Sequence, residues 1–264
     1  MNTLQLLSLN LNVLWAGFRA QSKSIIRENV YIFSTIIFPF LYMALMVFYF
    51  RYAGRTDATL FAVVGTGLMG MWLVATFITA YIVVVERWSA TLELIVATPS
   101  ALQLWVLGRS LASTVLSLVS LVVTLVSTHF FSIPLTIKQP LLFVLIVIAT
   151  TLTLTLLGTI ISSLFVLTRS ATPIANTLLY PVYILSGLVF PPSVLPAWLQ
   201  PLSLISPLRW ASDGLRAAIL DDVASAERSL IVLMIMSITL VVSSIWCFRI
   251  IERRVRRDAT LSFH

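Results

Sequence analysis

Six stretches of this chain carry no Asp, Glu, Lys or Arg: Val30–Phe50, Ala58–Val85, Leu111–Ile133, Leu141–Leu167, Pro173–Phe190 and Leu230–Phe248. About 20 apolar residues make a helix long enough to cross the hydrocarbon core of a bilayer. In that core each backbone N–H and C=O needs a partner, and a helix supplies one within its own segment. The runs therefore predict an all-α polytopic membrane protein with six transmembrane helices. Composition agrees, with 59% of residues hydrophobic and 10% charged, where soluble domains carry about 25% charged residues. The second run holds 28 residues. As a straight helix it would be about 42 Å long, so it must tilt or project beyond the core.

Orientation follows from where Lys and Arg fall between the runs. With both termini in the cytoplasm, the inner side receives eleven: Arg19, Lys23, Arg27, Arg87, Arg109, Arg169, Arg249, Arg253, Arg254, Arg256 and Arg257. The outer side receives six: Arg51, Arg55, Lys138, Arg209, Arg216 and Arg228. The net charge of +7 is thus a membrane-topology signal, and no nucleic-acid partner is expected. The basic tail, residues 249–264, suits anionic lipid headgroups. Residues 1–29 precede the first run. Leu4, Leu7, Leu11, Leu14 and Phe18 recur at helical spacing, which predicts an amphipathic helix on the cytoplasmic surface. It serves either as an anchor or as a contact for a partner. No secretory signal peptide is expected.

The stretch from Tyr180 to Trp210 is apolar but too broken to cross as one helix. Pro191, Pro192, Pro196, Pro201 and Pro207 crowd it, and no charge appears before Arg209. Each proline lacks an N–H and disfavours helix in the residue before it. Such backbone survives at membrane depth only where protein or a water-lined cavity satisfies it. The chain here is expected to dip or lie at the interface, as at the mouth of a translocation path. Ser206 and Pro207 are expected to start the next helix, Ser206 as its cap. On that helix Arg209 and Asp213 would pair on a solvated face.

Several chemistries find no support. Gly65-Thr66-Gly67-Leu68-Met69-Gly70 has G-x-G-x-x-G spacing, but Met71 and Trp72 stand where a P-loop needs Lys and Ser or Thr. Small residues inside an uncharged run are expected to pack helices closely instead. The chain is not expected to bind ATP itself. The single cysteine, Cys247, offers no disulfide, and the two histidines, His129 and His264, lie far apart in sequence. No metal site and no catalytic constellation is expected. The runs also lack the Asp, Glu or His relays that proton-coupled transporters use, so energy would enter from outside the membrane domain.

Between the second and third runs lies the segment ERWSATLELIVATPSALQLWVLGRS. Leu92, Ile95 and Val96 would line one face of a short helix that breaks at Thr98-Pro99, with Ser100 able to cap the next. Such a helix suits docking in a groove of a partner protein. Resting on lipid suits it equally.

This loop resembles the E-R…G-T-L-E…T-P pattern of ABC type-2 exporter permeases, at Glu86, Arg87, Thr91, Leu92, Glu93, Thr98 and Pro99. Ala90 departs from the family's usual Gly. A second resemblance is to that family's S-G…F-P…L-P-x-W-L-Q…P signature. It falls at Ser186, Gly187, Phe190, Pro191, Leu195, Pro196, Trp198, Leu199, Gln200 and Pro207, with Asp213-Gly214-Leu215-Arg216 beyond it. Together the two cover Glu86 to Leu220. The family includes drug-resistance, lipo-oligosaccharide and polysaccharide exporters.

The resemblance implies a permease subunit of an ATP-binding cassette exporter, moving an amphipathic or lipid-linked substrate out of the cytoplasm across a bacterial-type inner membrane. It implies two copies of a separate ATPase that binds ATP and Mg, and a second permease copy as dimer partner. The loop at 86–109 would hold the coupling helix, within a transmembrane domain spanning residues 30–248. A Pro-rich hairpin at 190–210 would form re-entrant helices of an extracellular gate, built from Ser186, Gly187, Phe190, Pro191, Pro196, Trp198 and Pro207. A non-transporting membrane scaffold and an intramembrane lipid-modifying enzyme are the alternatives.

Overall fold

The computed structural model of the chain describes residues 3–27, 29–55, 59–75, 102–167 and 171–258. Its elements are α1 (Thr3–Ile26), α2 (Asn29–Ile32), a π-helical turn (Phe33–Ile37), α3 (Phe38–Tyr52), α4 (Thr59–Leu73), α5 (Leu102–Phe130), α6 (Pro140–Leu167), α7 (Ala171–Leu185), a 3-10 turn (Pro192–Val194), α8 (Gln200–Ser203), α9 (Pro207–Leu220) and α10 (Val223–Asp258). The chain is an all-α membrane protein; no strand occurs among the described residues. Among the described residues, four stretches are long and apolar enough to cross a bilayer: Phe33–Tyr52, Gln103–Phe130, Pro140–Ser162 and Val223–Cys247. The second uncharged run appears as the shorter apolar helix α4, and its part beyond Ala75 lies outside the described residues. The fifth is the 15-residue α7, with Pro181 inside it.

Pro39 shapes the first crossing. It sits in the first turn of α3, where its missing N–H and its ring disturb the preceding turn. The backbone answers with the wide π turn, in which the Phe38 N–H donates to the Phe33 carbonyl. Thr35 adds a bond of 2.7 Å from its hydroxyl to the Tyr31 carbonyl. A π turn of this kind absorbs the disturbance without ending the helix.

The centre of the molecule is α4, on which every residue from Ala62 to Trp72 is buried. It packs against α3, α5 and α9. Lipid tails are as apolar as leucine, so helices in a membrane associate through close packing and interhelical hydrogen bonds. The glycines of α4 supply that packing. A Cβ at Gly67 would fall 2.7 Å from Thr124 Oγ1, and one at Gly70 would meet both Ser120 Cβ at 2.6 Å and Pro39 Cγ at 2.8 Å. The G-x-G-x-x-G spacing is thus a helix-packing stripe. Ser120 Oγ donates across the interface to the Gly67 carbonyl at 3.0 Å.

The same rule orders the outer helices. On α5, Ser113, Ser117, Ser120 and Thr124 are fully buried, whereas Val115, Val122 and Val126 are exposed. On α10, Ser229, Leu233, Ser237 and Ser244 are buried while Ile231, Ile235, Ile238 and Val242 are exposed. The Ser237 and Thr153 hydroxyls lie 2.8 Å apart and tie α10 to α6. On α5 every Ser and Thr from Ser110 to Thr128 is buried, whereas on α10 Leu233 joins the buried serines and Thr239 and Ser243 are exposed.

That rule also sets which face of α1 docks. Gly17, Gln21 and Ile25 are buried, while Leu11 and Trp15, from the leucine-rich side, are exposed. The docking partner is the start of α5. A Cβ at Gly108 would fall 2.1 Å from the Leu14 carbonyl oxygen, and one at Gly17 would fall 2.6 Å from that of Trp105. The two backbones touch there, which only glycine permits. Asn12, Arg19 and Lys23 form a third, exposed face. The amphipathic helix predicted over 1–29 therefore packs on α5 along Gly17, Gln21 and Ile25, with Leu14 and Phe18 half-buried and Leu11 and Trp15 outward.

Candidate functional site

The loop residues Glu86, Arg87, Thr91, Leu92, Glu93, Thr98 and Pro99 lie outside the described residues. The helix on the C-terminal side of that loop is α5. Its start carries Trp105 and Arg109, and Arg109 Nε donates to Gln21 Oε1 of α1 at 2.8 Å in a buried bond. The guanidinium also lies 5.8 Å from the Trp105 ring centroid. Any displacement of the loop that moves the beginning of α5 thus acts on α1 as well.

The Pro-rich segment begins where α7 ends. Ser186 is buried and its hydroxyl lies 2.6 Å from that of Ser206. These two serines close an excursion of the chain. Ser206 occupies the N-cap position of α9 but makes no side-chain cap hydrogen bond. Its hydroxyl serves the closure instead of the helix, contrary to the capping role expected from its sequence. Pro207 stands in the first turn of α9 as expected.

Gly187 comes next at φ +66°, a conformation glycine adopts at no steric cost. A Cβ there would also strike Pro192 Cγ at 2.6 Å. The reversal delivers Leu188, which is buried, onto α4: a Cβ at Gly65 would fall 2.0 Å from the Leu188 carbonyl oxygen. One turn further along α4, the Met69 carbonyl accepts a hydrogen bond of 3.0 Å from the Tyr183 hydroxyl. Gly65 lies six residues, about 9 Å of helix, from Thr59 at the start of α4. The excursion is therefore rooted below the end of the central helix and pinned at two points.

Beyond Leu188 the prolines, which cannot donate, accept. The carbonyls of Pro191, Pro192, Pro196 and Pro201 take bonds from the amides of Val194, Leu195, Leu199 and Leu204 at 3.0, 3.1, 2.8 and 3.2 Å. Gln200 Nε2 adds a bond to the Leu195 carbonyl at 3.0 Å. Irregular backbone is thus satisfied locally, as a membrane setting demands. Phe190 and Pro191 are half-buried, whereas Pro196 and Trp198 are exposed, Trp198 at 72%.

α9 is mostly buried rather than solvated. Arg209, Asp213 and Arg216 share one side of it at helical spacing. Asp213 Oδ1 accepts from Arg216 Nη2 at 2.7 Å, and Asp213 Oδ2 lies 3.5 Å from Arg209 Nε. Arg209 Nη1 donates to Ser203 Oγ. Arg216 is 7% exposed, with its guanidinium 3.9 Å from the centroid of Phe61 in α4. The expected Arg209–Asp213 pair is present with Asp213 38% exposed, while Phe61 covers the adjoining Arg216. α9 ends at Asp221 in a left-handed conformation, and Gln139, just before α6, bonds its own amide to the Ala218 carbonyl at 3.0 Å.

All seven residues expected in the Pro-rich element fall in this one region. Sequence reasoning missed Gly65, Tyr183, Ser206 as a closure residue, and Phe61. The glycine spacing signalled tight packing without naming Leu188 as the neighbour, and the other three carried no local signal. Residues 12–220 match the family model described as ABC-2 type transporter. No curated protein matches the chain.

Proposed function

Because the chain belongs to the ABC-2 type transporter family, we propose that it is the permease subunit of an ATP-binding cassette exporter. It carries an amphipathic or lipid-linked substrate out of the cytoplasm, across a bacterial-type inner membrane, with both termini inside. A separate ATPase, present in two copies, binds ATP and Mg, and a second permease copy completes the path through six crossings each. The loop of Glu86, Arg87, Thr91, Leu92, Glu93, Thr98 and Pro99 docks the ATPase. The Ser186–Ser206 excursion is the extracellular closure element.

One observation carries this reading beyond family membership. The Pro-rich excursion is rooted on the buried helix α4 through Gly65 and Leu188, so a shift of α4 acts directly on it. A plain connecting loop would need no such seat. In support of inward coupling, α1 touches backbone to backbone the start of α5, the helix that follows this loop in sequence.

The test is reconstitution with the partner ATPase in vesicles. ATP-dependent flux is expected. Leu92→Ala combined with Glu93→Ala should abolish ATPase co-purification and flux while leaving the chain folded in micelles. Unchanged ATPase association in that double variant would remove the docking assignment. Absence of flux with the ATPase bound would favour a scaffold, and lipid turnover by the chain alone would favour an enzyme.

A further inference from the structure

The Pro-rich excursion and the start of α9 enclose a cleft of about 390 Å³, whose walls include Pro192, Ser193, Ala197, Gln200, Leu204 and Arg209. We propose that this cleft is an anion subsite that takes the phosphate of an amphiphile.

Arg209 is the charged residue of the lining. Its guanidinium is held from behind, Nη1 donating to Ser203 Oγ and Nε facing Asp213 at 3.5 Å. Its Nη2 makes no hydrogen bond or ion pair among the described residues. Asp213 is shared, since Arg216 takes its other oxygen at 2.7 Å. Two guanidiniums on one carboxylate leave a positive charge unneutralised. Arg228 lies 5.9 Å from the ring centroid of Trp210, and Trp210 Nε1 donates to the carbonyl of Leu204 in the cleft wall. A second cation thus lies over Trp210, the residue after Arg209. Ser193 is exposed and its hydroxyl is unbonded among the described residues. A pre-oriented guanidinium with Nη2 uncommitted, lining the same cleft as a hydroxyl, can donate to a phosphate oxygen.

The size and the rim identify the ligand's other half. A cleft of this volume lies at the small end of ligand sites, room for a headgroup and not for its chains. Next in sequence to the lining residues Ala197, Pro201 and Leu204, the side chains of Trp198, Leu202 and Ile205 are 72, 46 and 71% exposed. An apolar rim beside a cationic floor fits a molecule whose phosphate enters the cleft while its hydrocarbon lies along the rim.

Native mass spectrometry of the full chain in micelles tests this without any transport assay, so a negative result leaves the exporter reading standing, and loss of that reading leaves the subsite standing. The probes are dioleoyl phosphatidylglycerol, dioleoylglycerol, which has the same chains without phosphate, and inorganic phosphate. Retention of the phospholipid and not of dioleoylglycerol is expected, with inorganic phosphate at least tenfold weaker. Arg209→Gln should weaken phospholipid retention about tenfold. Ala197→Trp, which fills the cleft and leaves the ion pairs alone, should weaken it as much. Lys138→Gln, which removes one charge outside the cleft, should not change it. The proposal is overturned if Arg209→Gln binds like the parent, if Ala197→Trp retains binding, if Lys138→Gln loses as much, or if inorganic phosphate alone binds as tightly as the lipid.

Discussion

Gly65 concentrates more of the molecule's logic than any charged residue. Its missing side chain is what lets the Leu188 carbonyl reach α4, and the obstacle a Cβ would meet is backbone at 2.0 Å. Side chains can turn aside, but a carbonyl moves only with its chain. Gly65→Ala should therefore lift the Pro-rich excursion off its seat. Overpacking of this kind costs about 1–3 kcal/mol. The expected outcome is a lower unfolding temperature in micelles and at least tenfold less flux with ATPase co-purification intact. Wild-type flux in a variant shown to be folded would rule out a mechanical role for this contact. The residue's importance is half legible in the sequence. Glycine spacing within an uncharged run announces close approach, but the partner lies 123 positions away in sequence, and no local pattern encodes it. Ser206 teaches the complementary lesson. A Ser-Pro pair ahead of a helix reads as a cap, yet the hydroxyl of Ser186 lies nearer to hand and takes it.

At the scale of elements, the face a helix buries is set by the solvent and not by the leucines. α1 is legible as an amphipathic helix, but its docking side is not, because in lipid the apolar stripe has no reason to seek protein. Gly17 and Gly108 set the docking instead. Gly108→Leu would drive a side chain into the Leu14 carbonyl, which a Cβ alone meets at 2.1 Å, and should detach α1 from α5. Spin labels at Asn12 and Leu116, in a Cys247→Ser background, should report a longer and broader distance distribution in the variant. An unchanged distribution would mean that α1 is held elsewhere. The start of α10 yields a pH prediction. Hydrogen bonding from the Ser225 side chain, and with it from the Ser225 amide, holds the Asp222 carboxyl below the usual carboxylate range. The Ser225 N–H donates to Asp222 Oδ1 at 3.1 Å, a helix cap. A carboxylate with a depressed folded pKa stabilises above its unfolded pKa and loses that contribution as pH falls through the folded value. Asp222→Ala should lower the unfolding temperature at neutral pH by more than in strong acid, where the native carboxyl is already protonated. Asp222→Asn should keep most of the cap, since Asn also caps well, while flattening that pH difference. Equal losses at both pH values for Asp222→Ala would show that the charge contributes nothing.

For the whole molecule, the question is whether the Pro-rich excursion opens or rides as a fixed lid. The six uncharged runs make the membrane class plain, and the proline cluster marks where a crossing must end. They do not encode the circuit that joins the ends of the excursion to each other and to α4, because it is built from single long-range contacts: Ser186 to Ser206, Leu188 to Gly65, Tyr183 to Met69. If transport requires this closure to part, a covalent link at its neck should arrest it. Ser186→Cys with Ser206→Cys, in a Cys247→Ser background, places two thiols where hydroxyls now lie 2.6 Å apart. Under oxidant, flux in reconstituted vesicles should fall to the ATP-independent level, and a reductant should restore it. ATPase association should survive both conditions, which separates a locked excursion from a lost partner. Each single-cysteine chain should be insensitive to the same oxidant. Full flux through a chain shown by mass to be quantitatively cross-linked would mean that Ser186 and Ser206 never separate. The moving parts would then be α4 and the excursion together, sliding as one body against α3 and α5.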